Sequence, residues 1–90
     1  MSEIIKAASA GTLESSDVFV EIEPKEQGIE LQLESVVLEQ FGYSIRQVAQ
    51  EVLADCGVEN ALLRISDRGA LECVIRARVE TAIRRGKGEF

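Results

Sequence analysis

Apolar and polar residues alternate with a period of two in residues 18–23 and again in residues 29–34. Successive side chains of a β-strand lie on opposite faces of the sheet, so this alternation predicts two strands that each have one buried face. Pro24 and Gly28 lie between the two segments, and a turn of this kind predicts that the strands pair as a hairpin. Residues 3–13 are rich in alanine and other small side chains and predict a further strand at the edge of the sheet.

The segment from residue 37 to residue 56 carries apolar side chains at intervals of three and four, which is the period of an amphipathic helix. Ser35 is a candidate N-cap for this helix. Gly42 interrupts the stripe, and the Ser-x-x-Gln pattern that starts at Ser44 has the form of a capping box. The sequence therefore also allows the helix to kink or to begin afresh near Ser44. Gly57 is predicted to end the helix in a left-handed conformation.

The last third of the chain predicts one more strand and one more helix. Residues 61–65 place alternate apolar side chains on one face and are followed by a polar turn at residues 67–69. Apolar residues then recur at helical spacing over residues 71–83. Gly86 is predicted to close this helix, and residues 87–90 are expected to fray. The order β-β-β-α-β-α predicts an α+β fold in which two helices lie on one face of a small, mainly antiparallel sheet.

Length and charge predict one small acidic domain over residues 1–90. A chain of 90 residues with 46% hydrophobic side chains can form one core but not two. Residues 1–40 hold nine acidic and two basic side chains, a net of −7, whereas residues 41–90 hold seven acidic and eight basic ones, a net of +1. Nucleic-acid binding normally needs a basic stripe. The acidic half instead predicts docking to basic enzyme surfaces, or else an anionic face that serves solubility.

Histidine is absent from the sequence, and the two cysteines, Cys56 and Cys73, do not form a Cys-x-x-Cys pair. The usual zinc sites and imidazole bases are therefore not expected. Both cysteines fall at core or near-core positions of the predicted helices, where cysteine behaves as a small hydrophobe. No apolar run approaches the roughly 18 residues needed to span a bilayer, and no secretory leader is recognisable. We expect a cytoplasmic protein with reduced thiols and no membrane partner.

The polar segment at residues 11–17, Gly-Thr-Leu-Glu-Ser-Ser-Asp, separates the first two predicted strands. Glycine, serine and aspartate suit turn geometry, so the segment is predicted to be a hairpin tip with exposed serine hydroxyls. A nucleophilic serine needs a base, and the neighbouring Glu14 and Asp17 are expected to be solvated carboxylates, which are weak bases at neutral pH. The residues alone therefore favour a plain turn and give no support for an enzyme.

Three blocks of the sequence resemble the acyl carrier protein of citrate lyase, which is the gamma subunit of that complex. They are Ala-Gly-Thr-Leu-Glu-Ser-Ser-Asp-Val at residues 10–18; Gln-Phe-Gly at residues 40–42, followed by Ile45-Arg46 and Val52-Leu53-Ala54; and Asp-Arg-Gly-Ala-Leu-Glu-Cys at residues 67–73, followed by Ile-Arg-Ala-Arg at residues 75–78. Each block is weak alone. Together they run in order from about residue 8 to residue 85, which is nearly the whole chain.

The resemblance implies that Ser15, the serine directly after Gly-Thr-Leu-Glu, carries a covalent cofactor. In that family a dedicated transferase attaches 2'-(5''-phosphoribosyl)-3'-dephospho-coenzyme A through a phosphodiester, and the cofactor thiol holds the acyl group. Of the alpha and beta subunits of citrate lyase, one exchanges acetyl for citryl and the other cleaves citryl to oxaloacetate and regenerates the acetyl thioester. The resemblance thus implies a non-catalytic carrier subunit, and the adjacent Ser16 is the alternative attachment site.

Other functions remain open at this point. The carrier subunit of malonate decarboxylase bears the same type of group, and a citramalate lyase carrier would have a similar sequence. A small acidic interaction module without a prosthetic group is the alternative from another class. If the chain is a carrier, we expect its enzymes to present basic rims to the face that bears Glu14, Asp17 and Glu21.

Overall fold

A computed structural model describes residues 3–89, apart from the side chains of residues 38 and 39, as a four-stranded sheet with two helices. The elements follow the predicted order β-β-β-α-β-α. Helix α2 packs on β1 and β2, and helix α1 packs on β3 and on α2, so both helices cover the same face. The bounds are β1 (Ala8–Gly11), β2 (Val18–Glu23), β3 (Ile29–Ser35), α1 (Leu38–Asp55), β4 (Ala61–Asp67) and α2 (Glu72–Gly86).

The sheet has the strand order β1-β2-β4-β3 and is mixed, with two antiparallel pairings and one parallel pairing between β3 and β4. The predicted hairpin between β2 and β3 is therefore wrong, because β4 lies between them. Burial explains the order: every second residue of β4 is fully covered, whereas β3 alternates between exposed and half-buried positions. The more apolar strand takes the centre, and the strand rich in glutamate takes the edge.

Strand β1 is shorter than predicted, because only Ala8–Gly11 pair with β2. The residues before it have another role. Ile4 is buried, and the backbone N–H groups of Ile5 and Lys6 donate to the carbonyl oxygen of Gly86 at 2.9 and 3.2 Å. This segment therefore satisfies a carbonyl at the end of α2 instead of extending the sheet.

Helix α1 is continuous from Leu38 to Asp55, so it neither kinks nor restarts at Ser44. Ser35 does not cap it: the Ser35 hydroxyl accepts a hydrogen bond from the N–H of Val37 at 3.0 Å and stabilises the turn before the helix. Gly57 has the predicted left-handed conformation, with φ of 72°. The N–H groups of Gly57 and Val58 return to the carbonyls of Ala54 and Leu53, which is the Schellman ending.

One contiguous core fills the space between the sheet and the helices. Its fully buried side chains include Val20, Ile22, Leu63 and Ile83. Helix α2 ends at Gly86, as predicted. The N–H groups of Gly88 and Glu89 donate to the carbonyl oxygens of Arg85 and Arg84 in the last turn of the helix. Residues 87–89 were predicted to fray, but in the structure their N–H groups are hydrogen-bonded. Residue 90 lies outside the described residues.

Candidate functional site

The segment 11–17 connects β1 and β2 as a hairpin, as the sequence predicts. Gly11, the last residue of β1, lies opposite Phe19 and has a φ of 88°, in the left-handed region that favours glycine. A Cβ atom at this position would overlap the carbonyl oxygen of Val18. Glycine is therefore required at the base of the hairpin for two reasons, its backbone conformation and the close approach of the opposite strand.

Ser15 and Ser16 are the two central residues of a β-turn at the hairpin tip. The N–H of Asp17 donates to the carbonyl of Glu14 at 3.1 Å, which closes the turn. Both serines are exposed. Ser16 has a φ of 65°, a conformation that costs a residue with a side chain about 1 kcal/mol. Such an unfavourable backbone conformation persists only where the surrounding structure holds it in place.

Backbone hydrogen bonds fix the turn to the loop after β4. The N–H of Ser16 donates to the carbonyl of Arg68 at 2.8 Å, and the N–H of Arg68 donates to the carbonyl of Asp17 at 2.9 Å. This reciprocal pair extends the β2–β4 ladder beyond the last paired residues, Val18 and Asp67. The turn that bears Ser15 is thus held by backbone hydrogen bonds at the end of the central strands β2 and β4.

Asp17 forms a hydrogen-bonded cluster at the base of the turn. Its carboxylate accepts bonds from the Thr12 hydroxyl at 2.7 Å and the N–H of Val18 at 2.7 Å, and it forms an ion pair with Arg78 at 3.2 Å. These donors, with the Thr12 hydroxyl the strongest, lower the pKa of Asp17 from 3.8 to about 2. Asp17 is therefore not the solvated turn charge that the sequence predicted, but a structural anion that links the turn to α2.

The fold also changes the charge around the turn. Arg68 is bonded to the turn through its backbone, Arg78 pairs with Asp17, and Arg85 donates to the carbonyl of Ser9 at 2.8 Å. These three arginines come from the half of the chain with a net charge of +1. The acidic surface predicted from residues 1–40 is thus interrupted by Arg78 at the base of the turn, and Glu14 is the exposed carboxylate that remains at the tip.

This arrangement gives no support for catalysis by Ser15. Asp17, the carboxylate whose position next to the serines is fixed, has a pKa of about 2 and is a poor general base at neutral pH. No group of three or more possible metal ligands occurs within residues 3–89. Neither helix in the described part of the chain has both the length and the apolar composition to cross a bilayer.

The structure separates the two cysteines. Cys56 follows the last turn of α1 and is half-buried, and burial raises the pKa of its thiol. Cys73 is exposed on the first turn of α2, so its predicted core position is wrong. The core-facing residues of this turn are Val74 and Ile75, which belong to the predicted apolar stripe, whereas Cys73 lies outside that stripe.

Sequence reasoning missed the partners that hold the turn, namely Thr12, Arg68 and Arg78. A weak signal was present for the two arginines, because both lie in the third block of residues that carries the family resemblance. The contact of each with a turn more than 50 residues earlier depends on the pairing of β2 with β4 and on the packing of α2 against β1 and β2. Neither feature can be read from local spacing.

Comparisons with known proteins agree on one family. Residues 5–86 match the acyl carrier family model described as the malonate decarboxylase delta subunit (MdcD). The citrate lyase acyl carrier protein of Escherichia fergusonii is 62% identical over 84 residues, which are 92% of this chain and 87% of that protein. The citrate lyase acyl carrier protein of Rhodopseudomonas palustris is 53% identical over 88 residues, 98% of this chain and 91% of that one.

Among solved structures, a chain of a Pseudomonas malonate decarboxylase hetero-tetramer in complex with malonate has the same fold. It superimposes with a TM-score of 0.78, covers 89% of this chain and 82% of its own length, and is 23% identical in sequence. This similarity concerns the fold alone.

Proposed function

The chain belongs to the acyl carrier protein family of the citrate lyase carriers and the malonate decarboxylase delta subunit, and we propose that it is the acyl carrier subunit of citrate lyase. The observation that carries this proposal is the identity of 53 to 62% with citrate lyase carriers over nearly the whole chain. The chain is thus a carrier and not a catalyst, in agreement with the low pKa of Asp17 beside the serines.

Ser15 is the residue that we propose as the attachment site. A carrier needs an accessible hydroxyl on a rigid base, and Ser15 is exposed on a turn that is bonded to Arg68 and closed at its base by the Asp17 cluster. Ser16 is the alternative, but its N–H is bound to Arg68 and its backbone is left-handed. The position after Gly-Thr-Leu-Glu favours Ser15.

Members of this family carry an acyl thioester on a prosthetic group, and we propose that the group here is 2'-(5''-phosphoribosyl)-3'-dephospho-coenzyme A. When bound, it supplies the thiol that carries the acyl group. The surroundings of Ser15 leave room for this group, because both serines at the tip of the hairpin are exposed. Arg78 pairs with Asp17 at the base of the same hairpin at 3.2 Å, and 43% of its side chain is exposed. A partly exposed guanidinium at the hairpin suits an anionic phosphodiester.

The carrier would work as one subunit of a multi-subunit lyase in the cytoplasm. We propose the alpha and beta subunits of citrate lyase and the attaching transferase as its partners. Exposed carboxylates such as Glu14 are available to basic rims on these enzymes, whereas Asp17 is already paired within the chain.

Reconstitution tests this proposal. The chain is produced with the transferase, acetylated, and combined with citrate lyase alpha and beta subunits, and oxaloacetate release from citrate is measured. We expect citrate cleavage with the modified chain and none with Ser15→Ala. A modified, acetylated chain that does not support citrate cleavage with these alpha and beta subunits would overturn the assignment to citrate lyase.

The malonate decarboxylase carrier is the second candidate, favoured by the description of the family model and by the shared fold. The sequence identity of 23% to that solved chain is far below the identity to the citrate lyase carriers. Parallel reconstitution with malonate decarboxylase subunits separates the two, since malonate-dependent CO₂ release without citrate cleavage would favour this candidate. The citramalate lyase carrier is the remaining alternative, and the same reconstitution with citramalate in place of citrate tests it.

A further inference from the structure

An open groove of about 460 Å³ lies between the first turns of α1 and α2, next to the loop after β4. Its floor is formed by the buried side chains of Ile45, Val48 and Ile75, and Phe41 and Leu71 lie at its rim with 52% and 71% of their surface exposed. A concave site of this size with an apolar floor is typical of small-molecule binding. Apolar side chains that are exposed together around a groove also mark a candidate binding surface.

The groove is adjacent to the turn that carries Ser15. Arg68 exchanges two backbone hydrogen bonds with the turn, and the next two residues, Gly69 and Ala70, line the groove. A flexible arm attached at Ser15 would therefore begin beside the groove. A tether converts binding into an intramolecular step with a high effective concentration, so weak apolar contacts suffice to hold the end of the arm.

The fixed charges of the groove are negative. Asp67 lines it and is 1% exposed, but its two oxygens accept bonds from the Ser35 hydroxyl at 2.8 Å and the N–H of Ala70 at 3.0 Å. Glu72 also lines the groove, and its carboxylate lies 3.8 Å from the guanidinium of Arg76. An uncharged acyl group can bury its methyl group on the apolar floor, whereas additional carboxylates would be placed near two anions in a partly desolvated site.

We propose that this groove is the resting site of the thioester end of the Ser15-linked arm when the acyl group is acetyl, and that a citryl thioester stays outside it. This inference rests on the proposed function, because it needs the arm to be present. It gives the carrier a means of shielding the acetyl form from solvent while leaving the anionic acyl form exposed to an enzyme.

The first test compares amide chemical shifts of the ¹⁵N-labelled chain in the unmodified, thiol, acetyl and citryl forms. We expect the acetyl form to shift the resonances of Gly69, Ala70 and Ile75 relative to the thiol form, and the citryl form to leave them unshifted. Equal shifts with both acyl groups, or no shift at these residues in an acetyl form of confirmed mass, would overturn the inference while leaving the carrier function intact. A chain that gains no cofactor mass overturns both.

The second test fills the groove with a side chain. Ser44→Trp adds bulk at the groove, and Ala54→Trp is the matched control, because it adds the same bulk at an exposed position near the other end of the same helix. Circular dichroism and unfolding curves establish that both variants fold. Cleavage of the acetyl thioester by hydroxylamine is the readout, which is independent of the lyase subunits.

If the arm rests in the groove about nine tenths of the time, only about one tenth of the thioester is exposed to hydroxylamine. The cleavage rate is then about tenfold lower than that of a fully exposed thioester. We expect Ser44→Trp to remove most of this protection and to abolish the acetyl-dependent shifts, and Ala54→Trp to preserve both. Identical cleavage rates in wild type and both variants would contradict the resting site. Groove shifts that appear only when lyase subunits are added would identify the groove as a protein interface and would also overturn the inference.

Discussion

Replacing Gly11 with alanine should displace the turn that carries Ser15, whereas the same replacement at Gly28 should not. The two glycines have similar positive φ values, 88° and 83°. An added Cβ atom at Gly28 meets no heavy atom within 4 Å. At Gly11 it overlaps the carbonyl oxygen of Val18 and lies 3.3 Å from the Cδ atom of Arg78. The pair of variants therefore separates backbone strain from steric overlap.

The expected losses differ accordingly. Gly28→Ala carries only the strain of a left-handed alanine, which lowers the free energy of unfolding by about 1 kcal/mol. Gly11→Ala carries the same strain and also forces the Val18 carbonyl away from β1, and the loss of about one hydrogen bond raises the total to about 2–3 kcal/mol. Because the N–H of Val18 donates a hydrogen bond to the carboxylate of Asp17, the shift reaches the turn itself.

Urea unfolding followed by circular dichroism measures the two losses, and the rate of cofactor attachment by the transferase measures the position of Ser15. We expect Gly28→Ala to be attached at the wild-type rate and Gly11→Ala to be attached more slowly, even under conditions where it is fully folded. Equal losses of stability in the two variants would refute the steric argument. A wild-type attachment rate in Gly11→Ala would show that the transferase does not depend on the position of the turn.

Three further predictions concern Asp17 at the turn, the two thiols, and the acids Glu14 and Glu21. Asp17→Asn should lower the melting temperature at neutral pH, and the difference from wild type should shrink as the pH falls from about 4 towards 2, because the low pKa of this carboxyl stabilises the fold only while it is ionised; a constant difference down to pH 2 would exclude this cause. The double variant Cys56→Ala/Cys73→Ala should lose at most a few kcal/mol of stability, and its purified, modified form should still accept acetyl; a folded, modified variant that cannot be acetylated would implicate a protein thiol. Reversal of Glu14 and Glu21 to lysine should slow attachment at low salt and converge with wild type as salt rises; equal rates at every salt concentration would show that these acids serve solubility alone.

The hydrophobic pattern predicted the elements better than their neighbours in the sheet. Periods of two and of three to four residues located β2, β3, β4 and both helices, because burial on one face is a local property of each element. The small-residue composition of residues 3–13 indicated β1. Pairing is not local. No local pattern places β4 between β2 and β3, since the preference of β4 for the centre depends on how completely its two neighbours and the helices cover it.

The position of the candidate site in the fold was predictable from the sequence, but the contacts that hold it were not. The composition of the segment 11–17 predicted an exposed hairpin tip, and the family resemblance selected Ser15 within it. The cluster that holds the tip was not predictable, because Arg78 reaches Asp17 across 61 positions of sequence. For the same reason the charge around Ser15 could not be inferred from the net charge of residues 1–40.

Mass analysis of the attachment site tests the central claim most directly. Wild type, Ser15→Ala and Ser16→Ala are each produced with the transferase, and intact mass and peptide mapping identify the modified residue. The account predicts that wild type and Ser16→Ala gain the mass of one cofactor on the peptide containing residue 15, and that Ser15→Ala gains none. Modification that persists in Ser15→Ala and disappears in Ser16→Ala would contradict it, as would a wild-type chain that stays at the mass of its sequence.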